Sequence, residues 1–196
     1  MQEVAEQLDR ALTPEMRQQL AELRQAVSQL DAARSRRALE DLAEAQRQLK
    51  EALERSQKLF ERAAMEGQMA NMAAEARDLA DEQKRWNEDV SRADSAHAAA
   101  EEEALASRTD SLAGAMLDAA EELGKMEGRE PSGQMETVAK TATSAAQTMK
   151  QAAAAARQGK PDVAKRQGKQ AEEQLDAMGE QLEQQRQDVQ GEWKAE

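Results

Sequence analysis

The sequence predicts an all-α protein made of elongated antiparallel helical hairpins with coiled-coil-like packing. Its large apolar residues recur at alternating spacings of three and four, which places them on one face of a helix and disagrees with the two-residue period of a strand. Of its 77 hydrophobic residues 41 are Ala, whereas Leu, Val and Phe together number 24. Burial of Ala removes little apolar area from water, so we expect thin helix packing and no thick core.

The first helix is predicted to begin at Pro14. Thr13 suits the N-cap, and Pro14 suits the first helical position, where no backbone N–H is needed. The apolar residues of this helix then follow at helical spacing: Met16, Leu20, Leu23, Val27 and Leu30. We expect a short turn after Leu30 that leads into an antiparallel helix.

A second helix is predicted to start at Asp31, which can serve as its N-cap. Its first apolar stripe consists of Leu39, Leu42, Leu49, Leu53, Phe60 and Ala63. The stripe then shifts register and continues through Met65, Met69, Met72, Ala76, Leu79, Gln83, Trp86 and Val90. Gly67 lies near the shift, but a lone Gly destabilises a helix interior by only about 1 kcal/mol. We therefore expect one continuous helix over 33–90.

Short polar residues, Gly and Pro predict the next boundaries. Residues 90–95 contain two candidate N-caps and predict a turn. The third helix carries one stripe, which consists of Leu105, Thr109, Leu112, Met116, Ala119, Leu123 and Met126. Gly128, Pro131 and Gly133 fall within six residues of each other, so we expect a linker over 128–133.

The last part of the chain, residues 134–196, predicts an Ala-rich helical hairpin. Gly159 suits the end of one helix, and Pro161 suits the start of the next. An Ala seam gains little apolar burial per residue, so we expect this hairpin to be the least stable part of the chain. The predicted domains are a helical region over 1–127 and this hairpin.

Two stretches of the chain carry a resemblance to a known family. They are RRALEDLAEAQRQLKEALERSQKLFERAAMEGQMANMAAEARDLADEQKRWNEDV, residues 36–90, and MKQAAAAARQGKPDVAKRQGKQAEEQL, residues 149–175. The chain resembles the coiled-coil tail of an uncharacterised bacterial family of large membrane-anchored proteins. The resemblance implies a location in the bacterial cell envelope, as a soluble portion, and supplies no catalytic residues. It also implies that this chain is a fragment whose membrane link lies outside it.

Composition and motifs argue against several classes of function. A net charge of −12 argues against nucleic-acid binding, because that binding needs clustered Lys and Arg. The chain has no Cys, and its one histidine, His97, has no second copy to complete a di-metal motif. The run Glu101–Glu103 spreads its carboxylates about 100° apart on a helix, so we expect a solvated face and no ion site. We expect no enzymatic activity, no cofactor, no metal and no transmembrane segment in this chain.

Two groups of residues are candidates for an interaction surface. The first is the apolar series Met65, Met69, Met72 and Trp86, which is either a packed seam or an adaptable face for a partner. The second is a basic cluster around the second hairpin turn: Arg157, Lys160, Lys165, Arg166 and Lys169. This cluster is either an ordinary solvated tip or a site for an acidic partner or anionic lipid.

These observations predict a non-enzymatic helical scaffold or spacer. We expect it to bind protein partners, or to self-associate, through helix–helix contacts of its apolar stripes. The alternative is an amphipathic helical binder of membrane or lipid surfaces that becomes ordered on binding. Regular stripes spaced three and four apart favour the scaffold, since surface-active helices usually have broader apolar faces.

Overall fold

A computed structural model describes residues 14–28, 32–126 and 129–195. These residues form five helices, which are α1 (Pro14–Ser28), α2 (Ala32–Asp89), α3 (Ser95–Met126), α4 (Arg129–Arg157) and α5 (Pro161–Ala195). The described part of the chain contains no strand. The predicted all-α fold with helical hairpins is confirmed. Thr13 and the predicted turn at Leu30 and Asp31 lie outside the described residues.

The chain divides into two compact units, Met1–Glu61 and Arg62–Glu196. The first unit contains α1 and the part of α2 up to Glu61. The second contains the rest of α2 together with α3, α4 and α5. In this division residues 134–196 belong to the same unit as 62–126.

The predicted turn after α2 is confirmed, and Asp94 is the N-cap of the next helix. The backbone N–H of Val90 donates to the carbonyl of Trp86 at 2.8 Å, which closes the last turn of α2. The Oδ1 atom of Asp94 accepts from the backbone N–H groups of Ala96 at 3.0 Å and His97 at 3.1 Å. Asp94 thus satisfies two N–H groups that have no partner within the helix, as an N-cap residue does.

The turn between α4 and α5 also forms as predicted. Gly159 has a φ of 68°, a conformation that costs Gly little and other residues more. Its N–H donates to Ala156, and the N–H of Lys160 donates to Ala155, which is the bond pattern of a Schellman motif. Pro161 then begins α5.

The predicted linker over 128–133 differs from the structure. Helix α4 already begins at Arg129, so Pro131 and Gly133 lie within its first turns. Pro is tolerated there because the first N–H groups of a helix have no intrahelical acceptor. Gly128 lies outside the described residues. A Pro that signals a break in a sequence can therefore lie inside the start of a helix.

Four helices surround one core in the second unit, which we call the bundle. Helix α4 lies between α3 and α5 and contacts both. Helix α2 contacts α3 through Trp86, whose Nε1–H donates to the Ala98 carbonyl at 2.8 Å. It contacts α5 through Asn87, which donates to Glu172 at 2.8 Å, and through Arg186, which donates to Glu66 at 3.4 Å. These two contacts run in opposite directions along α2 and α5, so the helices are antiparallel.

The core of the bundle consists mainly of Ala, Met and Leu. Its largest fully buried apolar side chains are Met65, Met69, Leu79, Met116, Leu123, Met135, Met149, Leu175, Met178 and Leu182. The Ala seam of α4 is covered on both sides, since Ala142, Ala145 and Ala152 have no exposed surface. Small residues let helices approach closely, and unbranched Met fills the irregular spaces that remain.

Gly168 lies where α5 approaches α2 closely. A Cβ atom at this position would lie 2.0 Å from Asn87 Oδ1 and 2.7 Å from Trp86 Cζ3. No larger residue fits without movement of these two side chains. Gly67, by contrast, has no heavy atom within 4 Å of a Cβ position, so packing does not require it.

Candidate functional site

The Met and Trp residues predicted as a possible partner-binding face are buried inside the bundle. Met65, Met69, Met72 and Trp86 belong to its hydrophobic core, and each is 5% exposed or less. The structure therefore favours the packed seam and corrects the alternative of an exposed face. Trp86 reaches across the core to the backbone of α3, as its hydrogen bond to Ala98 shows.

The basic cluster lies around the turn between α4 and α5. Arg157 is paired with Glu103 of α3, with Nη2 2.6 Å from Oε1. Lys160 donates to Gln158 at 2.8 Å, and Arg166 donates to the carbonyl of Asp162 in its own helix. Lys165 is half-buried and Lys169 is exposed. The structure brings these residues to one hairpin turn, but one of the five charges is already neutralised within the bundle.

The acidic run at the start of α3 splits into three environments. Glu101 Oε1 lies 3.1 Å from Nε2 of His97, and Glu103 pairs with Arg157. Glu102 points the other way and is fully buried. The prediction of a solvated face is correct for the two neighbours and wrong for Glu102. The described residues contain no group of three or more His, Cys, Asp or Glu placed to hold a metal ion.

Glu102 belongs to a polar layer in the core of the bundle. Gln83 of α2 donates from Nε2 to Glu102 Oε1 at 3.0 Å, and the same nitrogen lies 3.5 Å from Asn87 Oδ1. Asn87 in turn donates to Glu172 of α5. The layer therefore connects three helices. The second carboxyl oxygen of Glu102 has no hydrogen-bond partner among the described residues.

Burial raises the pKa of the Glu102 carboxyl to about 8, and the hydrogen bond from Gln83 opposes this shift only in part. Removal from water disfavours the charged form, so the carboxyl is mainly protonated at neutral pH. Because the side chain is fully enclosed, no solute can contact it while the helices stay packed. The layer can fix the relative register of α2, α3 and α5, but it offers no accessible surface for chemistry.

The spacing of residues in α3 indicates that Glu102 is buried, although the predicted apolar stripe of α3 began only at Leu105. Glu102 lies three residues before Leu105, and Leu105, Thr109 and Leu112 follow at spacings of four and three. Extending the buried face of α3 by one step toward its start therefore reaches Glu102. Gln83 was placed on the buried stripe of α2, and its burial is confirmed.

Exposed large apolar side chains are concentrated in the first unit, on α2. Leu53 is 56% exposed, Leu59 66% and Phe60 73%, and we call these three residues the α2 patch. Leu39, nearer the start of the same helix, is also exposed, while Leu42 and Leu49 are half-buried. The sequence stripe predicted that a helix covers Leu53 and Phe60, and the structure leaves both in solvent. Leu117 is the one exposed large apolar residue recorded for the described part of the bundle.

Neither a membrane-spanning segment nor a similar protein points to a further site in the described residues. None of the described helices is both long and apolar enough to cross a lipid bilayer. The α2 patch lies on a helix that is otherwise rich in charged residues. Comparison with protein families, with characterised proteins and with solved structures finds no match to this chain.

Proposed function

We propose that this chain is a non-enzymatic helical scaffold that binds protein through helix–helix contacts, with the α2 patch as its docking surface. The observation that carries the proposal is the exposure of Leu53 and Phe60, which lie seven residues apart and therefore share one face of α2, with the exposed Leu59 about 100° round the helix from Phe60. Full burial of such a side chain is worth roughly 1.5–3 kcal/mol relative to leaving it in water. Adjacent exposed apolar residues of this size therefore favour an interaction surface.

The bundle supports a scaffold role because its helices are tied to each other at several levels. Arg108 of α3 donates to Glu75 at 2.8 Å and to Glu82 at 2.6 Å, and both acceptors lie on α2. Arg186 of α5 donates to Glu66 of α2 at 3.4 Å, and Arg77 of α2 pairs with Glu183 of α5 at 3.5 Å. These contacts between helices hold the bundle in one arrangement, as a scaffold requires.

The surroundings of the α2 patch favour a protein partner over a lipid surface. Residues 50–61 contain three basic and three acidic side chains. An amphipathic helix that binds anionic membranes normally carries an excess of Lys and Arg on its polar face. A balanced face gives no net attraction to anionic lipid, whereas it suits a partner helix that offers both signs of charge.

The cell-envelope location implied by the family resemblance forms part of this proposal. Fractionation of cells that produce the native protein tests it, because a scaffold of the envelope should be recovered with envelope proteins. Recovery of all the protein with cytoplasmic markers would contradict the location and leave the docking role untouched.

Photo-crosslinking tests the docking role. A photoreactive residue at position 53 or 60 of the full chain should yield discrete protein adducts in cells. Position 117 is the matched control, because Leu117 is the exposed apolar residue of the bundle and should give few adducts. Adducts should disappear from position 60 when Leu53→Glu is also present. Lipid adducts alone, or equal yields at 60 and 117, would contradict the proposal.

A further inference from the structure

We infer that the polar layer is a pH-sensitive release point, at which loss of a proton from Glu102 parts the helices at one end of the bundle while the other end stays packed. The inference does not depend on the α2 patch. Three features support it: a buried carboxyl oxygen without a partner, the lack of a cation that could neutralise it, and a crevice at the nearby end of the bundle.

The hydrogen bonds of the layer suit a protonated Glu102. Its Oε1 atom accepts from Gln83 Nε2 at 3.0 Å. Its Oε2 atom and the Oε1 atom of Gln83 are buried and have no partner among the described residues. An ionised carboxylate needs donors for both of its oxygens, and an unpaired charge in a protein interior is strongly destabilising. The layer can therefore hold Glu102 as a neutral acid, and it has no donor ready for the second oxygen of the anion.

The side chains that meet Glu102 in the layer carry no positive charge. On α2 its neighbours are Gln83 and Asn87, which are both uncharged amides. On α5 the charged member of the layer is Glu172, another acid, which accepts from Asn87. His97, on α3 itself, is exposed. Ionisation of Glu102 would thus place a second negative charge near Glu172.

The bases that α4 and α5 bring to this end of the bundle do not neutralise Glu102 either. Arg157 of α4 pairs with Glu103 at the surface, with Nη2 2.6 Å from Oε1. Lys165 and Lys169 lie in the first turns of α5, yet burial and one hydrogen bond are the causes that shift the pKa of Glu102. Within the described part of the bundle, an ionised Glu102 would have no counter-charge, so water must solvate it.

A crevice at the end of the bundle gives water a short route to the layer. It has a volume of about 200 Å³ and lies between the turn that joins α2 to α3 and the turn that joins α4 to α5. Val90 lines the crevice, and Trp86 and Gln83 follow at steps of four and three residues along the buried face of α2. Seven residues span roughly 10 Å at about 1.5 Å per residue. Separation of the helices over two turns is therefore enough to hydrate Glu102.

Contacts at the far end of the bundle keep α2 and α5 together when the layer opens. Glu66 accepts from Arg186 and Gln190 of α5. Arg62 lies over the ring of Trp193, 5.6 Å from its centroid. These residues lie roughly 25 Å or more along α2 from the layer, and none of them is a member of it. We therefore expect a local opening that leaves most of the helical structure in place.

Fluorescence of Trp86 in the full chain tests the inference. The chain has two Trp residues, and Trp193→Phe leaves Trp86 as the single Trp while keeping an aromatic ring under Arg62. Between about pH 6 and about pH 9.5 the emission of Trp86 should shift to longer wavelengths, and its quenching by acrylamide should rise at least about threefold. The midpoint should lie at or above the pKa of Glu102, about 8, because the anion forms only there. Circular dichroism should change by less than about a tenth.

Two substitutions in the Trp193→Phe background identify the responsible proton. Glu102→Gln keeps an acceptor for Gln83 and cannot ionise, so the change at Trp86 should disappear. Glu102→Met serves the same purpose if the Gln variant does not fold. Glu103→Gln is the matched control and should respond as its parent does. A Trp86 signal that is constant up to about pH 9.5, that changes equally in Glu102→Gln, or that changes together with loss of helicity would overturn the inference.

Discussion

Two stretches of helix α2 follow the same apolar spacing with opposite results. In residues 32–61, Leu39, Leu53 and Phe60 are exposed although their side chains are large. In residues 62–89, Leu79 and the much smaller Ala76 are completely buried. The second stretch contacts α3 and α5, which supply atoms on both sides of its stripe. A spacing of three and four thus identifies the apolar face of a helix, and the available neighbours decide whether that face is covered.

The two stretches also differ in the size of their apolar side chains. The stretch with more Leu is the exposed one, whereas the bundle is built on Ala and Met. Ala gains little from burial on its own, but a seam of Ala and Gly lets helix axes approach and brings many atoms into contact. The Ala-rich hairpin over 134–196, which we expect to be the least stable part, contributes its Ala seam to the core of the larger unit.

The largest difference between the two stretches is expected when one Leu in each is truncated to Ala. Leu79→Ala should lower the free energy of unfolding of the bundle by about 2–5 kcal/mol, because it removes buried methyl groups and leaves a cavity. Leu53→Ala should change it by less than about 0.5 kcal/mol, because that side chain is mostly in water. Urea unfolding followed by circular dichroism measures both. Equal losses would show that Leu53 is packed in solution.

The next largest effect is expected from the pH dependence of the bundle. The pKa of Glu102 is raised from 4.5 to about 8 in the folded chain, mainly by burial. Below pH 4.5 the carboxyl is protonated in the folded and in the unfolded chain, so the full contribution of this group to the stability of the bundle is present. Between pH 4.5 and about 8 the unfolded chain releases a proton that the folded chain keeps, so stability from this group falls as pH rises. The slope is at most about 1.4 kcal/mol per pH unit, and the total is expected to reach about 2–4 kcal/mol.

Urea unfolding of Glu102→Gln at a series of pH values checks this expectation. The variant keeps an oxygen that can accept from Gln83 and has no proton to lose, so its stability should vary much less over this pH range. Glu103→Gln is the matched control, because its side chain is the exposed neighbour. A slope that persists in Glu102→Gln would assign the pH dependence to other groups.

Gly168→Ala should destabilise the bundle by about 1–3 kcal/mol. The added Cβ would overlap Trp86 and Asn87, and Trp86 cannot move freely because it is buried and donates to the Ala98 carbonyl. Gly67→Ala is the matched control in an exposed position of α2, and it should gain up to about 1 kcal/mol of helix stability. Thermal unfolding of the two variants measures the contrast. A gain of stability in both variants would mean that α5 lies farther from α2 than the structure places it.

Local chemistry made most helix boundaries predictable. Asp94 caps α3, and Gly159 with Pro161 separates α4 from α5, because each of these residues satisfies a backbone need that few others can. Pro131 misled the linker prediction because Pro is compatible both with a break and with the first turn of a helix. The sequence carries no break at the division between Glu61 and Arg62, because this division falls inside one continuous helix.

The candidate surfaces were less predictable, because their exposure depends on neighbours distant in the sequence. Met69 and Phe60 both lie on predicted stripes, yet one is fully buried and the other is mostly in water. Glu102 is hidden by a run of three acids that has the composition of a solvated face. Only the packing of α2 against α3 distinguishes it from Glu101 and Glu103.

The smallest changes in the free energy of unfolding are expected when ion pairs in the two stretches of α2 are removed. Arg108 of α3 reaches Glu75 and Glu82 in the bundle, whereas Lys50 and Glu54 form a pair at 3.8 Å within the first stretch of the helix itself. All of these groups are substantially exposed, so Arg108→Ala should cost only about 0.2–1 kcal/mol, and less at high salt. Lys50→Ala should cost still less, because its pair does not connect two helices. Urea unfolding at low and high salt separates the two. If Arg108→Ala lowers the free energy of unfolding equally at low and high salt, the stem of Arg108 stabilises the bundle through packing. Its charge would then contribute nothing measurable to holding α2 against α3.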